Sequence, residues 1–170
     1  MDAQKRRQEL ACCLKDARQP VSASELARRF SVSRQVIVGD IALLRASGSE
    51  ISATPRGYVI LSEDTGYIHR VACLHDGGGM EAELNAMVDH GCIVLDVIVE
   101  HPIYGQLTGP LQLSNRYEVQ QFISRCTEAE ARPLSLLTEG IHLHTLSCPS
   151  EAVFQRVQQA LRELGVLLEA

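Results

Sequence analysis

The chain has 170 residues, 45% of them hydrophobic and 22% charged, with a formal net charge of −5. That length holds one ordinary domain, or a small domain beside a medium one, and the apolar fraction suits a packed core. No apolar run approaches the roughly 20 residues that span a bilayer, and "MDAQKRRQEL" lacks the apolar stretch of a secretory signal, so a cytoplasmic protein without membrane attachment is expected.

Charge divides the chain. Residues 1–62 hold ten Lys/Arg against six Asp/Glu, and residues 63–170 hold six against fifteen, so the parts carry +4 and −9. A basic head on an acidic remainder fits a nucleic-acid module joined to a second domain. Six cysteines at 12, 13, 73, 92, 126 and 148 contain no C-x-x-C, and several fall inside apolar patterns. Reduced packing thiols are expected.

The first helix is read in "DAQKRRQELACCLKDA", with Leu10, Cys13 and Leu14 on one stripe. "SASELARRF" gives a second, with Ser22 and Glu25 in capping-box register and Leu26 and Phe30 on its apolar side. After "SVS", Ser33 is a good N-cap for a third helix, "RQVIVGDIALLRASG", which Gly48 stops. Ile37, Ile41 and Leu44 define its packed face, leaving Arg34, Gln35 and Val38 away from it near the N-terminus.

Helix, short turn and helix, with polar groups where the second begins, is the geometry that enters a major groove. Arg and Gln there can make bidentate hydrogen bonds to base edges. "ISATPRGYVIL" reads as a hairpin turning at Pro55-Arg56-Gly57, with Arg56 placed to reach phosphate or minor groove. These features predict a winged helix-turn-helix over residues 1–64. The expected DNA-contacting residues are Ser33, Arg34, Gln35, Val38 and Arg56.

Beyond it, strands and helices alternate: a strand at 67–74, a helix in "MEAELNAMVDHG", and a β-branched, buried strand at 93–101. Another strand follows near 107–113, then a helix in "NRYEVQQFISRCTEAEA", a strand in "IHLHTLSC", a helix in "SEAVFQRVQQALREL" and a short final strand in "VLLE". The pattern predicts a two-layer α/β sandwich over residues 65–170 and an α+β protein overall. "DGGG" at 76–79 lacks both P-loop and Rossmann spacing. It reads as a flexible approach to the helix, with Asp76 as a cap.

His142 and His144 in "GIHLHT" share one face of a strand. Alone, that pair is a metal grip, a base with a neighbour, or two histidines on a wet face. His75 at the end of the first strand and Glu83 on the next helix add a third imidazole and a carboxylate. Such a set suits zinc, nickel or iron far better than magnesium or calcium. His101 and Tyr104, in "EHPIYG", mark a strand end where a small-molecule pocket is expected. His69 and His90 have no partner pattern.

"HDGGGMEAEL", "GCIVLDVIVEHPIYGQLTGPLQL" and "PLSLLTEGIHLHTL" resemble the three-histidine (3H) domain. Together with "SVSRQVIVGDIALLRASG" they make the chain similar to the niacin-responsive transcriptional repressors of NAD biosynthesis and niacin uptake genes. The resemblance covers nearly the whole chain in order. It implies a non-enzymatic repressor that binds operator DNA as a homodimer and senses nicotinic acid as co-repressor. It further implies one divalent transition metal (nickel, zinc or iron) on His75, Glu83, His142 and His144, with His101 and Tyr104 bordering the effector site. The glycine run at 77–79 departs from the polar residues usual there. Two alternatives stay open: a repressor for which the metal itself is the signal, and a metal-dependent hydrolase with Asp96 or Glu100 as base, although both lie in a strand that reads as buried.

Overall fold

A computed structural model describes residues 2–61 and 66–169. The chain folds as two compact units, Met1–Asp64 and Thr65–Ala170, each with its own apolar cluster.

In the first unit, helices α1 (Ala3–Asp16), α2 (Ala23–Phe30) and α3 (Arg34–Ala46) precede a hairpin of β1 (Ile51–Thr54) and β2 (Gly57–Ile60). The caps fall where the sequence places them: Ser22 Oγ accepts from Glu25 N–H and Ser33 Oγ from Val36 N–H. Each satisfies a backbone donor that the first helical turn leaves unpaired. Leu10, Leu14, Leu26, Phe30, Ile37 and Ile41 close the core between the helices. Buried Asp40 ties α3 to α1, receiving Arg6 Nε at 2.6 Å and Arg7 Nη1 at 3.5 Å. The hairpin docks through hydrogen bonds between Val21 and Tyr58. Gly57 permits this, because it has φ +140° and a Cβ there would lie 2.3 Å from the Val21 carbonyl oxygen. This is a winged helix-turn-helix.

The second unit pairs β3 (Tyr67–Leu74), β6 (Ile141–Cys148), β4 (Ile93–His101) and β5 (Gly105–Leu113) in that order, with every neighbour antiparallel. Helices α4 (Met80–Asp89), α5 (Arg116–Glu128) and α6 (Glu151–Glu163) share one core with the sheet. Leu84, Met87, Val119, Val157 and Leu161 interleave there with Val71, Val94, Leu113 and Leu146. The protein is therefore α+β, a helical head followed by an antiparallel sheet layered with helices.

Two expectations need correction. "VLLE" does not form a strand: Leu167 makes a single bridge to Cys73, with hydrogen bonds from Leu74 N–H to Val166 and from Leu168 N–H to Ala72. Glu100 is exposed rather than buried; it lies beyond the last β4–β6 pair, Ile98–Leu143, where only β5 still pairs with β4.

Candidate metal centre

Alternation along β6 settles which way its histidine pair points. Leu146 and Cys148 lie in the helix-facing core, so His142 and His144 face it too. Each is only 3% exposed, so the face is dry. Cys73, opposite His142 in the β3–β6 register, is on the same side. From the helix layer α4 presents Glu83, a fully buried carboxylate. His75 follows β3 directly, where Asp76 Oδ1 accepts Gly78 N–H and a 3₁₀ turn over 77–79 leads into α4.

The four side chains named from the sequence converge. Nε2 of His75 stands 2.6 Å from Glu83 Oε2, that of His142 3.0 Å from Oε1, and that of His144 3.5 Å from Oε2. Behind them, Nδ1 of His75 meets the Asp76 carbonyl, while Nδ1 of His142 and of His144 each lie 2.8 Å from a carbonyl, of Gly140 and Asp96 respectively. A carbonyl oxygen only accepts, so each Nδ1 carries a proton. The neutral ring then turns its Nε2 lone pair toward Glu83.

That arrangement decides what the site can hold. Three lone pairs aimed at a buried carboxylate repel it unless positive charge lies among them. Without a metal, protons on Nε2 would have to supply that charge: one imidazolium would balance Glu83, whereas a second proton on every ring would place three cations around one anion in a low-dielectric interior. Were Nε2 protonated, burial would still raise the Glu83 pKa, but hydrogen bonds from His142, His144 and His75 would outweigh it and hold the carboxyl well below its usual range. The hydrogen bond to Glu83 would raise His75 in turn. Three oriented imidazoles and a carboxylate fit a borderline divalent transition metal, with the backbone carbonyls as the outer support such ligands need.

Sequence reasoning missed Cys73. Its Sγ, a Glu83 oxygen and a His142 nitrogen all lie within 4.8 Å of one another. Burial first, then the charge of Glu83, push the thiol pKa up. Part of the signal was available in C-L-H at 73–75, where alternation puts Cys73 on the side of His75; its place opposite His142 comes from the strand pairing.

Gly140 is also part of the construction. Its φ is +94°, and a Cβ there would sit 2.3 Å from the His75 carbonyl oxygen. Its own carbonyl orients His142. Gly140→Ala must therefore move His75 or the carbonyl behind His142, and metal affinity measured by competition with a chelator should fall about 10–100-fold. Unchanged affinity would show that the loop yields without disturbing either ring.

The other expected residues lie elsewhere. His101 ends β4, and its Nδ1 accepts from the N–H groups of Ile103 and Tyr104, which leaves the proton on Nε2. Tyr104 is 74% exposed and its ring lies 5.1 Å from that of His101. His101 lies beyond the last β4–β6 pair, Ile98–Leu143, and His75 and Gly140 lie just beyond the last β3–β6 pair, Leu74–Ile141, so all three are at the same end of the sheet. His69 stacks on Phe154, and His90 meets the Ala86 carbonyl through Nδ1. Asp96 faces away from the histidines, accepting Thr145 N–H, and Glu100 shares its side of β4 by alternation.

In the first unit Arg34 and Gln35 are exposed at the start of α3, Ser33 is engaged as its cap, and Val38 is half-buried. Arg56 lies half-buried at the hairpin turn, with Nη1 donating to Gln19 at 3.3 Å.

A winged head followed by a sheet-and-helix unit with three histidines gathered on one glutamate defines a helix-turn-helix protein with a 3H domain. Residues 68–170 match the 3H domain family and residues 6–59 an HTH domain family. The chain belongs to the 3H domain family. It is 43% identical over 168 residues to the transcription repressor NadR of Bacillus subtilis (strain 168), covering 96% of this chain and 93% of that one. It is 41% identical over 166 residues to the probable transcription repressor NiaR of Thermotoga maritima, covering 98% and 95%.

Proposed function

We propose that this chain is a DNA-binding transcriptional repressor of NAD biosynthesis or niacin uptake genes, with nicotinic acid as co-repressor. In this reading residues 1–64 read the operator, residues 65–170 bind metal and effector, and the protein acts in the cytoplasm as a homodimer. The carrying observation is the convergence of three Nε2 atoms on buried Glu83 behind a DNA-reading head. His75, Glu83, His142 and His144 are the ligands of one divalent transition metal (nickel, zinc or iron). When bound, the metal supplies positive charge, in a region of formal charge −9, and a Lewis-acid centre for a carboxylate or a pyridine nitrogen.

The surrounding residues orient rather than react. The carbonyls of Asp76, Gly140 and Asp96 hold the rings. His101 keeps Nε2–H free of its own backbone contacts, at the sheet end shared with His75, as a donor for an anionic ligand. Tyr104 adds an exposed phenol face beside it. On the DNA side, Ser33, Arg34, Gln35, Val38 and Arg56 form the contact set. Arg34 and Gln35 suit base edges, Ser33 fixes the helix start, and Val38 and Arg56 sit at the margins of the face.

The test is a calorimetric titration of the full chain with nicotinate, nicotinamide and quinolinate, with and without added metal. Nicotinate is expected to bind the metal-loaded protein, and nicotinamide, which lacks the carboxylate charge, at least tenfold more weakly. Equal affinity for both would remove the anion-sensing reading. Binding of nicotinate undiminished by complete metal removal would remove the metal from effector recognition.

A further inference from the structure

Helix α3 contains a glycine that no contact among the described residues accounts for. Gly39 lies mid-helix, with φ outside the positive range and, beyond its chain neighbours and its own helix backbone, no described atom within 4 Å of where its Cβ would be. An alanine would fit with open space around it. Glycine is the poorest helix former apart from proline, because it leaves the unfolded chain the most freedom to lose. The chain therefore carries a weak residue in a helix with only 13 positions, without any packing, turn or strain to require it.

The position identifies what the glycine serves. Ile37, Asp40 and Ile41 point into the unit's core, and Gly39 is on the opposite side. Gln35 and Ala42, one turn before and after it, are both exposed. Arg34 is exposed at the start of the same helix. This is the face that the head presents outward from its second helix, where a major groove is read.

We propose that Gly39 is the point of closest approach of α3 to the floor of the DNA major groove, a positioning residue for sequence recognition. A Cβ at this position would hold the helix axis off the bases and lengthen the hydrogen bonds available to Arg34 and Gln35. Contacts to phosphate, made by long flexible side chains, tolerate that displacement. Bidentate contacts to base edges do not. The inference rests on the DNA-binding reading and adds to it the residue that sets the depth of the helix.

The experiment uses the full chain and a duplex that it selects from a random-sequence pool, with an unselected duplex for comparison. Wild type, Gly39→Ala and Arg34→Ala are compared by fluorescence anisotropy and by thermal melting. Gly39→Ala is expected to melt roughly 4 °C higher, as a helix freed of a glycine should. It is also expected to bind the selected duplex at least tenfold more weakly, with affinity for the unselected duplex within twofold of wild type. A stabilised Gly39→Ala that binds the selected duplex as wild type does overturns the proposal, as does a Gly39→Ala that melts lower. Loss of preference in Arg34→Ala alone leaves the DNA reading standing without Gly39. A wild-type chain that enriches no duplex from the pool removes the DNA reading itself.

Discussion

Glu83→Gln is expected to lower the protein's metal affinity by more than about 100-fold, beyond the 10–100-fold that follows loss of an outer-shell partner. The carboxylate is the common centre on which His75, His142 and His144 converge. The amide keeps its size and burial but removes the negative charge and offers one oxygen in place of two. Glu83→Gln isolates the ligand chemistry more cleanly than Glu83→Ala, which would also open a cavity beside fully buried Leu84 and Met87. Metal content after gel filtration and competition with a chelator measure the effect. Stoichiometric metal held at wild-type affinity would sink the assignment of Glu83.

The same site predicts a thermal signature. A metal present at about 1,000 times its dissociation constant stabilises the folded state by about 4.1 kcal/mol. For a unit of this size that is a rise in Tm of roughly 15 °C or more. Chelation of the wild-type protein should remove it. In Glu83→Gln the chelator should change little, because there is little bound metal to withdraw.

Much of this was legible because the periods are simple. Period-two alternation put His142 and His144 on one face, and the apolar set Leu146 and Cys148 fixed that face as the inner one. The caps Ser22 and Ser33 each accept a backbone N–H within the first turn of the helix they begin, so those two helix starts could be read residue by residue; Asn115 and Ser150 do the same for α5 and α6. The strand pairing was not legible. The order β3-β6-β4-β5 brings Cys73 opposite His142, and no local pattern encodes that register. The Gly140 carbonyl behind His142, and the Asp96 carbonyl behind His144, depend on the same pairing and on backbone atoms every residue possesses. Asp96 drew attention for its carboxylate, whereas its contribution to the cluster is its main chain. Gly140 was passed over because its role is to be without a side chain where the His75 backbone comes close.

Nicotinate is expected to tighten binding of the metal-loaded protein to its operator by about 5–150-fold, the range of ordinary coupling between two sites. Linkage then fixes a second result: operator DNA must tighten nicotinate binding by the same factor. A ligand shifts an equilibrium only by its differential affinity for the two states. Contact with the metal centre alone would therefore give no coupling; in the proposed dimer nicotinate would have to favour one arrangement of two DNA-reading heads. In a two-fold dimer that arrangement is the spacing of the paired α3 helices, which must match half-sites one helical turn, or about 34–36 Å, apart. Inserting five base pairs between half-sites should abolish the nicotinate response by turning one half-site to the opposite side of the duplex. His142→Ala with His144→Ala should bind operator in the nicotinate-free, weaker mode and ignore nicotinate. Anisotropy titrations of operator at fixed salt, since phosphate contacts make affinity salt-dependent, with metal and nicotinate varied separately, read all of these. If metal alone restores full operator affinity and nicotinate adds nothing, the signal is the metal and the niacin reading is lost.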